Sequence, residues 1–196
     1  MDTGLEALLE EVRACRLCEA HLPLGPRPVL RASASARILI AGQAPGTRVH
    51  QTGIPWNDLS GQRLRDWLGI DRETFYDESR IAILPMGFCY PGKGSRGDLP
   101  PRPECAPLWR SRLLAQMPQI RLTLAIGQYA IAYHLGARKA PSLTETVRRW
   151  AQYRDLGVIP LPHPSPRNVG WRQANAWFEA ETALRIREAV WEALDG

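Results

Sequence analysis

The sequence contains no run of apolar residues long enough to cross a membrane, which would take roughly 18 in succession. Its first residues, MDTGLEALLEEVRACRLCEAH, are acidic and amphipathic, and such a segment is not a secretory signal. A GxxxxGK[ST] phosphate loop and a GxGxxG fingerprint are both missing, which leaves the nucleotide-binding classes weakly supported. Because it has no internal repeats or linker, the chain is expected to form one domain, residues 1–196. Because it has neither a membrane-spanning run nor a secretory signal, it is expected to act in the cytoplasm without contacting a membrane.

Lysine is scarce as well. Of the 25 basic residues, 23 are Arg and two are Lys, and the formal net charge is +5. Arg makes bidentate contacts to phosphate and stacks on bases. The composition is therefore compatible with a nucleic-acid partner, although a general bias toward Arg would produce it equally well.

Cysteine occurs only four times, at Cys15, Cys18, Cys89 and Cys105. In a cytoplasmic chain such residues are more often metal ligands or inert core residues than disulfides. The CxxC pair suits a redox site, zinc or an iron–sulfur cluster, and the redox alternative is weakest because the pair lies in a predicted helix with no strand before it. Cys89 and Cys105 flank a Pro/Gly/Arg loop without apolar pattern, which a metal site would hold in place.

Short apolar segments alternate with helical ones along the chain. The predicted strands cover residues 37–42, 80–86, 121–127 and 156–161. The predicted helices cover residues 4–20, 60–70 (capped by Asp58 or Ser60 and ended by Gly69), 104–118, a segment through His134, and a closing pair within 168–194. This alternation indicates an α/β fold, a three-layer α/β/α arrangement with a central four-stranded parallel sheet. Ligands of such sheets bind at the carboxyl ends of the strands.

Two loops at predicted strand ends are unusual. GQAPG, residues 42–46, follows the first strand, and PHPSPRN, residues 162–168, follows the fourth. Three prolines restrict the backbone around His163 and Ser165, so this loop can fix an imidazole, and its N–H groups can meet a phosphate. Taken alone, a proline-rich turn with an incidental histidine explains the second loop as well.

The order CxxC, GQAPG, TGIPW, two further cysteines and HPSP resembles the uracil-DNA glycosylase superfamily, and most closely its iron–sulfur branch. The resemblance extends over roughly residues 12–178. It implies a parallel sheet flanked by helices, removal of a damaged base from DNA, and a structural [4Fe–4S] cluster held by the four cysteines. Zinc is the alternative, because four thiolates also satisfy its tetrahedral preference.

The resemblance also implies roles for single residues. Trp56 stands where the family has a stacking Phe, and a core Trp on a loop is the alternative interpretation. Backbone groups of the first loop would face the base carbonyl, and His163 would stabilise the departing base anion. Ser165 would grip phosphate, and Arg167 would fill the gap left by the flipped base or contact phosphate. The first-loop residues concerned are Gly42, Gln43 and Ala44.

Some positions depart from the family pattern. Gln43 and Ala44 stand where related proteins carry a carboxylate, so Gln43 can orient a water but cannot accept its proton. The nearest substitutes are His50 and Asp58, although His50 could contact phosphate and Asp58 could simply cap a helix. Pro85 replaces an Asn that reads the uracil edge, which places uracil specificity in doubt and leaves hypoxanthine or xanthine possible.

We therefore expect a monomeric DNA repair glycosylase that hydrolyses the N-glycosidic bond of a flipped deaminated base. The alternative is a protein of the same fold that binds DNA or a damaged base without cleaving it. An enzyme that acts on free bases or nucleosides is the third hypothesis.

Overall fold

A computed structural model describes residues 3–95 and 97–196. Its main sheet contains four parallel strands in the order β2-β1-β5-β6, and a separate antiparallel hairpin pairs β3 with β4. The strands are β1 (Ile38–Ala41), β2 (Ile81–Ile83), β3 (Lys93–Gly94), β4 (Gly97–Asp98), β5 (Leu122–Ile126) and β6 (Val158–Leu161). The prediction of a central four-stranded parallel sheet is confirmed.

Helices connect the strands and cover the sheet. They are α1 (Thr3–Arg13), α2 (Thr47–Thr52), α3 (Leu59–Leu68), α4 (Arg72–Tyr76), α5 (Cys105–Ala115), α6 (Gly127–Leu135), α7 (Leu143–Arg148), α8 (Val169–Ala174) and α9 (Ala183–Asp195). Short 3-10 turns cover Glu19–His21, Gly136–Arg138, Trp150–Leu156 and Pro166–Asn168, and a π-helical turn, Phe178–Thr182, leads into α9. Within the described residues, no helix is long and apolar enough to cross a bilayer.

Alternation along the buried strands gives the sheet its two faces. Ile38 and Ile40 of β1 pack in one core with α3 and α9. Leu39, between them, points to the opposite face and packs in a second core with α1 and α5. Every residue of β1 is buried, as a central parallel strand requires, and helices on both faces complete the predicted three layers.

The predicted helix over residues 4–20 is wrong at its carboxyl end. Helix α1 ends at Arg13, and the N–H of Cys15 bonds instead to the carbonyl of Val12 at 3.1 Å, in a tighter turn. The apolar stripe of α1 also ends at Val12, which is fully buried, so no further burial favours another helical turn. Consequently Cys15 and Cys18 lie in the turns that follow the helix rather than within it.

Other boundaries moved inward, and some elements were not predicted. The predicted strand at 80–86 is shorter, because β2 stops at Ile83 and the chain turns toward Cys89. The predicted helix at 104–118 ends at Ala115. Short helices α2, α4 and α7 and the β3–β4 hairpin lie in stretches without a predicted element. The helix following Asp58 and the closing pair of helices are confirmed.

Candidate functional site

A cavity of about 310 Å³ opens at the carboxyl ends of β1, β2 and β6, where the sheet topology brings three loops together. We call it the strand-end cavity. Its volume is at the lower end of the range for small-molecule sites, about 300–1,000 Å³. Its lining includes all but one of the non-cysteine residues selected from the sequence: Gly42, Gln43, Ala44, Trp56, Asp58, His163, Ser165 and Arg167.

Trp56 forms one wall of this cavity and is held in an unusual backbone conformation. Its φ of 56° lies in the left-handed region, which costs a non-glycine residue about 1–3 kcal/mol and is typical of functional sites. A Cβ at Gly42 would lie 2.9 Å from Cζ2 of the indole, and a Cβ at Gly61 would lie 1.8 Å from the Trp56 carbonyl oxygen. Glycine at these two positions therefore leaves the space that this tryptophan occupies.

His163 faces Trp56 across the cavity, with ring centroids 5.7 Å apart and planes inclined by 34°. Burial lowers the pKa of His163, and the nearby Asp58 opposes that shift. The backbone N–H of Ser165 donates to Nδ1 of the imidazole at 3.2 Å. Because Nδ1 accepts this bond and the ring is neutral, we assign its proton to Nε2, which can donate to a ligand.

The loop that carries His163 is braced by donors from three elements. Asn168 Nδ2 donates to the His163 carbonyl at 2.8 Å, and Arg63 Nη1, from α3, donates to the Pro164 carbonyl at 3.0 Å. Arg172 Nη1, from α8, donates to the Ser165 carbonyl at 3.2 Å. These three hydrogen bonds hold the loop, which has no regular structure, and with it the imidazole.

The remaining residues of this loop lie at the mouth of the cavity. Ser165 Oγ accepts from the N–H of Arg167 at 3.2 Å and so caps the short turn that follows. The exposed Arg167 reaches toward the β3–β4 hairpin, where a Cβ at Gly97 would lie 2.9 Å from its Nη1. Both residues are accessible to a ligand that approaches from solvent.

The two sequence candidates for handling water lie in different places. Asp58 lines the cavity, and its Oδ1 also accepts from the N–H of Gly61 at 2.9 Å, so it caps α3 as predicted. His50, on α2, is not part of the lining. Its ring lies 6.2 Å from that of Tyr90, and its pKa is lowered, chiefly by burial and further by Arg27.

Gln43 performs a task that the sequence did not suggest. Its side-chain Nε2 donates to the carbonyl of Leu99 at 2.9 Å, and its own carbonyl accepts from Gly87 at 3.0 Å. The GQAPG loop is thus tied both to the segment after β2 and to the hairpin. The bond to Leu99 brings its neighbour Asp98, which the sequence interpretation did not select, into the cavity lining. Asp98 is the only acidic residue between Pro85 and Pro103, a signal that could have identified it.

All four cysteines line a second, smaller cavity, which we call the thiol cavity. Its remaining walls are mainly apolar, with Val12, Phe88 and Trp109 among them. Burial raises the pKa of the Cys89 thiol to about 11 and that of Cys105 to about 12, and also raises that of Cys18. The backbone N–H of Phe88 points at Cys105 Sγ from 3.4 Å.

Among the residues that the structure describes, no three Cys, His, Asp or Glu side chains are arranged to hold a metal ion. Four thiols around one apolar cavity nevertheless match the donor set of an iron–sulfur cluster, which separates its ligands more widely than one ion does. A single zinc, with Zn–S bonds of about 2.3 Å, needs its ligands much closer together.

Comparisons with known proteins indicate the family to which the chain is similar. A family model described as the uracil DNA glycosylase superfamily matches residues 31–187. A Type-4 uracil-DNA glycosylase of Thermotoga maritima is 30% identical over 169 residues, which cover 82% of this chain and 81% of that protein.

Proposed function

Because the chain belongs to the uracil-DNA glycosylase superfamily, we propose that its strand-end cavity removes a deaminated base, uracil first, from DNA by hydrolysis of the N-glycosidic bond. One observation supports this most: a neutral histidine and a tryptophan face each other across a small cavity at the carboxyl edge of the sheet. A base inside a duplex cannot be reached, so the nucleotide must rotate out of the stack and enter this cavity.

Trp56 provides a surface for the flipped base. Stacking of a base on an aromatic ring contributes about 1–3 kcal/mol and tolerates different bases. The left-handed backbone at Trp56 places the indole in the space above Gly42 before the base arrives. Little conformational entropy is then lost on binding, which is the advantage of a rigid site.

His163 acts on the departing base. Cleavage leaves the bonding electron pair on the base, whose carbonyl oxygens share the negative charge. A neutral imidazole that carries its proton on Nε2 donates a hydrogen bond to that oxygen without having to release the proton. One such pre-positioned donor is worth about 10²–10³-fold in rate.

Ser165, Arg167 and the backbone of their loop would hold the phosphates beside the flipped nucleotide. Both residues lie at the mouth of the cavity, two positions apart in the chain. The net charge of +5 supports the same kind of partner. His50 is not part of the cavity lining, and we assign it no step in the reaction.

We assign the thiol cavity to a [4Fe–4S] cluster held by Cys15, Cys18, Cys89 and Cys105. The cluster would fasten the turns after α1, the segment after β2 and the start of α5 to one another. Its part is structural, and no step of base removal passes through it. Iron and sulfide content of the purified protein, with zinc measured in parallel, tests this assignment.

The choice of base depends on the cavity wall at Pro85. Pro85, which lines the cavity, has neither an amide side chain nor a backbone N–H with which to read the edge of uracil. A site without that paired reading discriminates less sharply between bases. We therefore expect the protein to release uracil. Hypoxanthine or xanthine should be released at rates closer to the uracil rate than in a site whose amide side chain pairs with the edge of uracil. Action as a monomer and in the cytoplasm remains a prediction.

Single-turnover release of base from oligonucleotides that carry uracil, hypoxanthine or xanthine tests the function. We expect abasic product with the native chain and a 10²–10³-fold slower reaction with His163→Ala. DNA binding without product from any of these substrates would support the alternative of a non-cleaving binder. Release from a free nucleoside that excess DNA does not inhibit would instead indicate an enzyme of nucleosides.

A further inference from the structure

The β3–β4 hairpin places a carboxylate in the cavity that lacks one from the GQAPG loop. Asp98 ends β4, pairs with Lys93 across the hairpin and lines the strand-end cavity together with His163 and Trp56. A Cβ at Gly46, the last residue of GQAPG, would lie 3.4 Å from Asp98 Oδ2. The carboxylate therefore lies against the same loop in which related proteins carry their acidic residue.

Two hydrogen bonds hold Leu99, the residue that follows Asp98. Gln43 Nε2 donates to the carbonyl of the next residue, Leu99, at 2.9 Å. The N–H of Leu99 donates to the carbonyl of Gly92, also at 2.9 Å, which closes the base of the hairpin. Gln43 thus positions Asp98 through the backbone, and the amide that replaces a carboxylate in the loop keeps another carboxylate in place.

Asp98 lies among charged side chains of both signs. Asp98 is exposed at the cavity mouth, and partial desolvation there raises its pKa, while the cationic Arg167 and Lys93 oppose the shift and Asp58 adds to it. Ion pairs within 4.0 Å among the described residues do not include Asp98. A carboxylate at the mouth of a DNA-binding cavity repels phosphate, and a positive charge on the substrate would offset that cost.

Base removal creates such a charge. As the bond between C1′ and the base nitrogen breaks, its electron pair leaves with the base and the sugar becomes an oxocarbenium cation. A water oxygen then forms a bond to C1′ and loses a proton, and the base anion gains a proton from solvent. The cavity therefore needs one group that favours the cation and accepts the proton of water.

We propose that Asp98 is this catalytic residue: it stabilises the cationic sugar, takes the proton of the attacking water and passes it to solvent. The proposal rests on the proposed glycosylase function. Asp58 is less suited, because its Oδ1 is already the acceptor that caps α3. Gln43 acts only as a positioning residue, since its amide is engaged by Leu99 and accepts no proton.

The first test compares Asp98→Asn with Asp155→Asn. Each substitution removes one negative charge. Asp155 is exposed and precedes β6, so it lies at the amino ends of the strands, opposite the end that carries the cavity. We expect Asp98→Asn to slow single-turnover release of uracil about 10²-fold, the usual contribution of a general base, while Asp155→Asn reacts as the native chain does. Asp98→Glu should recover part of the rate, and thermal melting shows that the variants are folded.

The second test measures the preference for positive charge without any reaction. Duplexes with a cationic pyrrolidine or a neutral tetrahydrofuran at the abasic position are bound by each variant. The native chain and Asp155→Asn should prefer the pyrrolidine about tenfold or more, and Asp98→Asn should lose most of that preference.

The outcomes separate the two proposals. If the native chain releases uracil and Asp98→Asn does so at a similar rate, or if Asp98→Asn keeps the preference for pyrrolidine, the assignment of Asp98 is overturned and the function stands. If the native chain releases no base while the preference for pyrrolidine depends on Asp98, the glycosylase function fails and the cation site stands.

Discussion

The strand-end cavity and the thiol cavity share one stretch of backbone, residues 84–89, but different interactions hold them. Pro85 lines the first, and Phe88 and Cys89 line the second. The strand-end cavity depends on hydrogen bonds to loop carbonyls and on space left by glycines, whereas the thiol cavity is enclosed by apolar side chains and offers sulfur ligands. Damage to the first should therefore alter catalysis at nearly constant stability, and damage to the second should alter stability first.

Loss of one cysteine is the strongest way to test this difference. Cys105→Ala removes a proposed ligand and the acceptor of the Phe88 N–H. Loss of a metal site belongs to the few changes that cost about 4 kcal/mol or more. We expect iron and sulfide content to fall, the melting temperature to drop, and base release to decline with the fraction of folded protein.

His163→Ala is the control, because it alters only the strand-end cavity. It should retain full iron content and a native melting temperature while losing the reaction. If Cys105→Ala melted like the native chain, and the native chain contained neither iron nor zinc, the thiol cavity would be an ordinary apolar core.

A smaller change tests the connection between the cavities. Arg110, on α5, is fully buried, and its Nη1 donates to the carbonyls of Leu84 at 2.9 Å and Pro85 at 3.2 Å. Its Nη2 lies 2.8 Å from Nε2 of His134, whose pKa burial lowers to about 3, so the neutral imidazole accepts. Arg110→Met leaves these acceptors without a donor, and we expect a loss of about 1–3 kcal/mol in the free energy of unfolding by urea.

Arg112→Met is the matched control on the same helix. Arg112 is partly exposed and pairs with Glu11 at 2.7 Å, a contact worth at most about 1 kcal/mol. Base release per folded molecule should also fall for Arg110→Met, because the segment that it holds lines both cavities. If the two variants were equally stable, the buried guanidinium of Arg110 would not connect the strand-end cavity with the thiol cavity.

The contrast between the cavities also explains which features the sequence revealed. The strands were predicted because a central parallel strand, such as Ile38–Ala41, is apolar throughout, and burial of both sheet faces requires that pattern. The cap at Asp58 was predicted because it depends only on residues three apart. Both signals are local, so a single sequence contains them.

The missed features are set by long-range contacts. The β3–β4 hairpin has two-residue strands of Lys, Gly and Asp, too short for any apolar periodicity, and the amide of Gln43 fastens it from a distant loop. Trp56, which has a left-handed backbone, occupies space that the distant Gly42 and Gly61 leave free. The end of α1 at Arg13 carries no Gly or Pro signal, so the amphipathic pattern predicted a helix that continued through the cysteines.

The space above Gly42 gives a further test of the strand-end cavity. Gly42→Ala would place a Cβ 2.9 Å from Cζ2 of Trp56, so the indole must shift. A stacking platform displaced by part of an ångström should reduce the single-turnover rate about tenfold, since reactions lose rate steeply with misplacement. Stability should change little, because the indole is only partly buried.

Gly170→Ala provides the comparison, since nothing lies within 4 Å of its Cβ position in α8. This variant should react normally and gain about 0.5–1 kcal/mol, the usual effect of alanine in a helix. A normal rate for Gly42→Ala would mean that the position of Trp56 does not limit the reaction.

The smallest expected effect separates the two carboxylates of the strand-end cavity. Asp58→Ala removes the cap of α3, and Asp71→Ala removes the equivalent cap of α4, where Oδ1 accepts from Thr74 at 2.7 Å. Each should cost about 1 kcal/mol of stability. Asp58 also holds the pKa of His163 up, so its loss lowers that pKa further, and the imidazole stays neutral at neutral pH in both proteins. We therefore expect Asp58→Ala to release uracil within tenfold of the native rate, and Asp71→Ala to do the same. A hundredfold loss of rate in Asp58→Ala alone would transfer the role of handling water from Asp98 to Asp58.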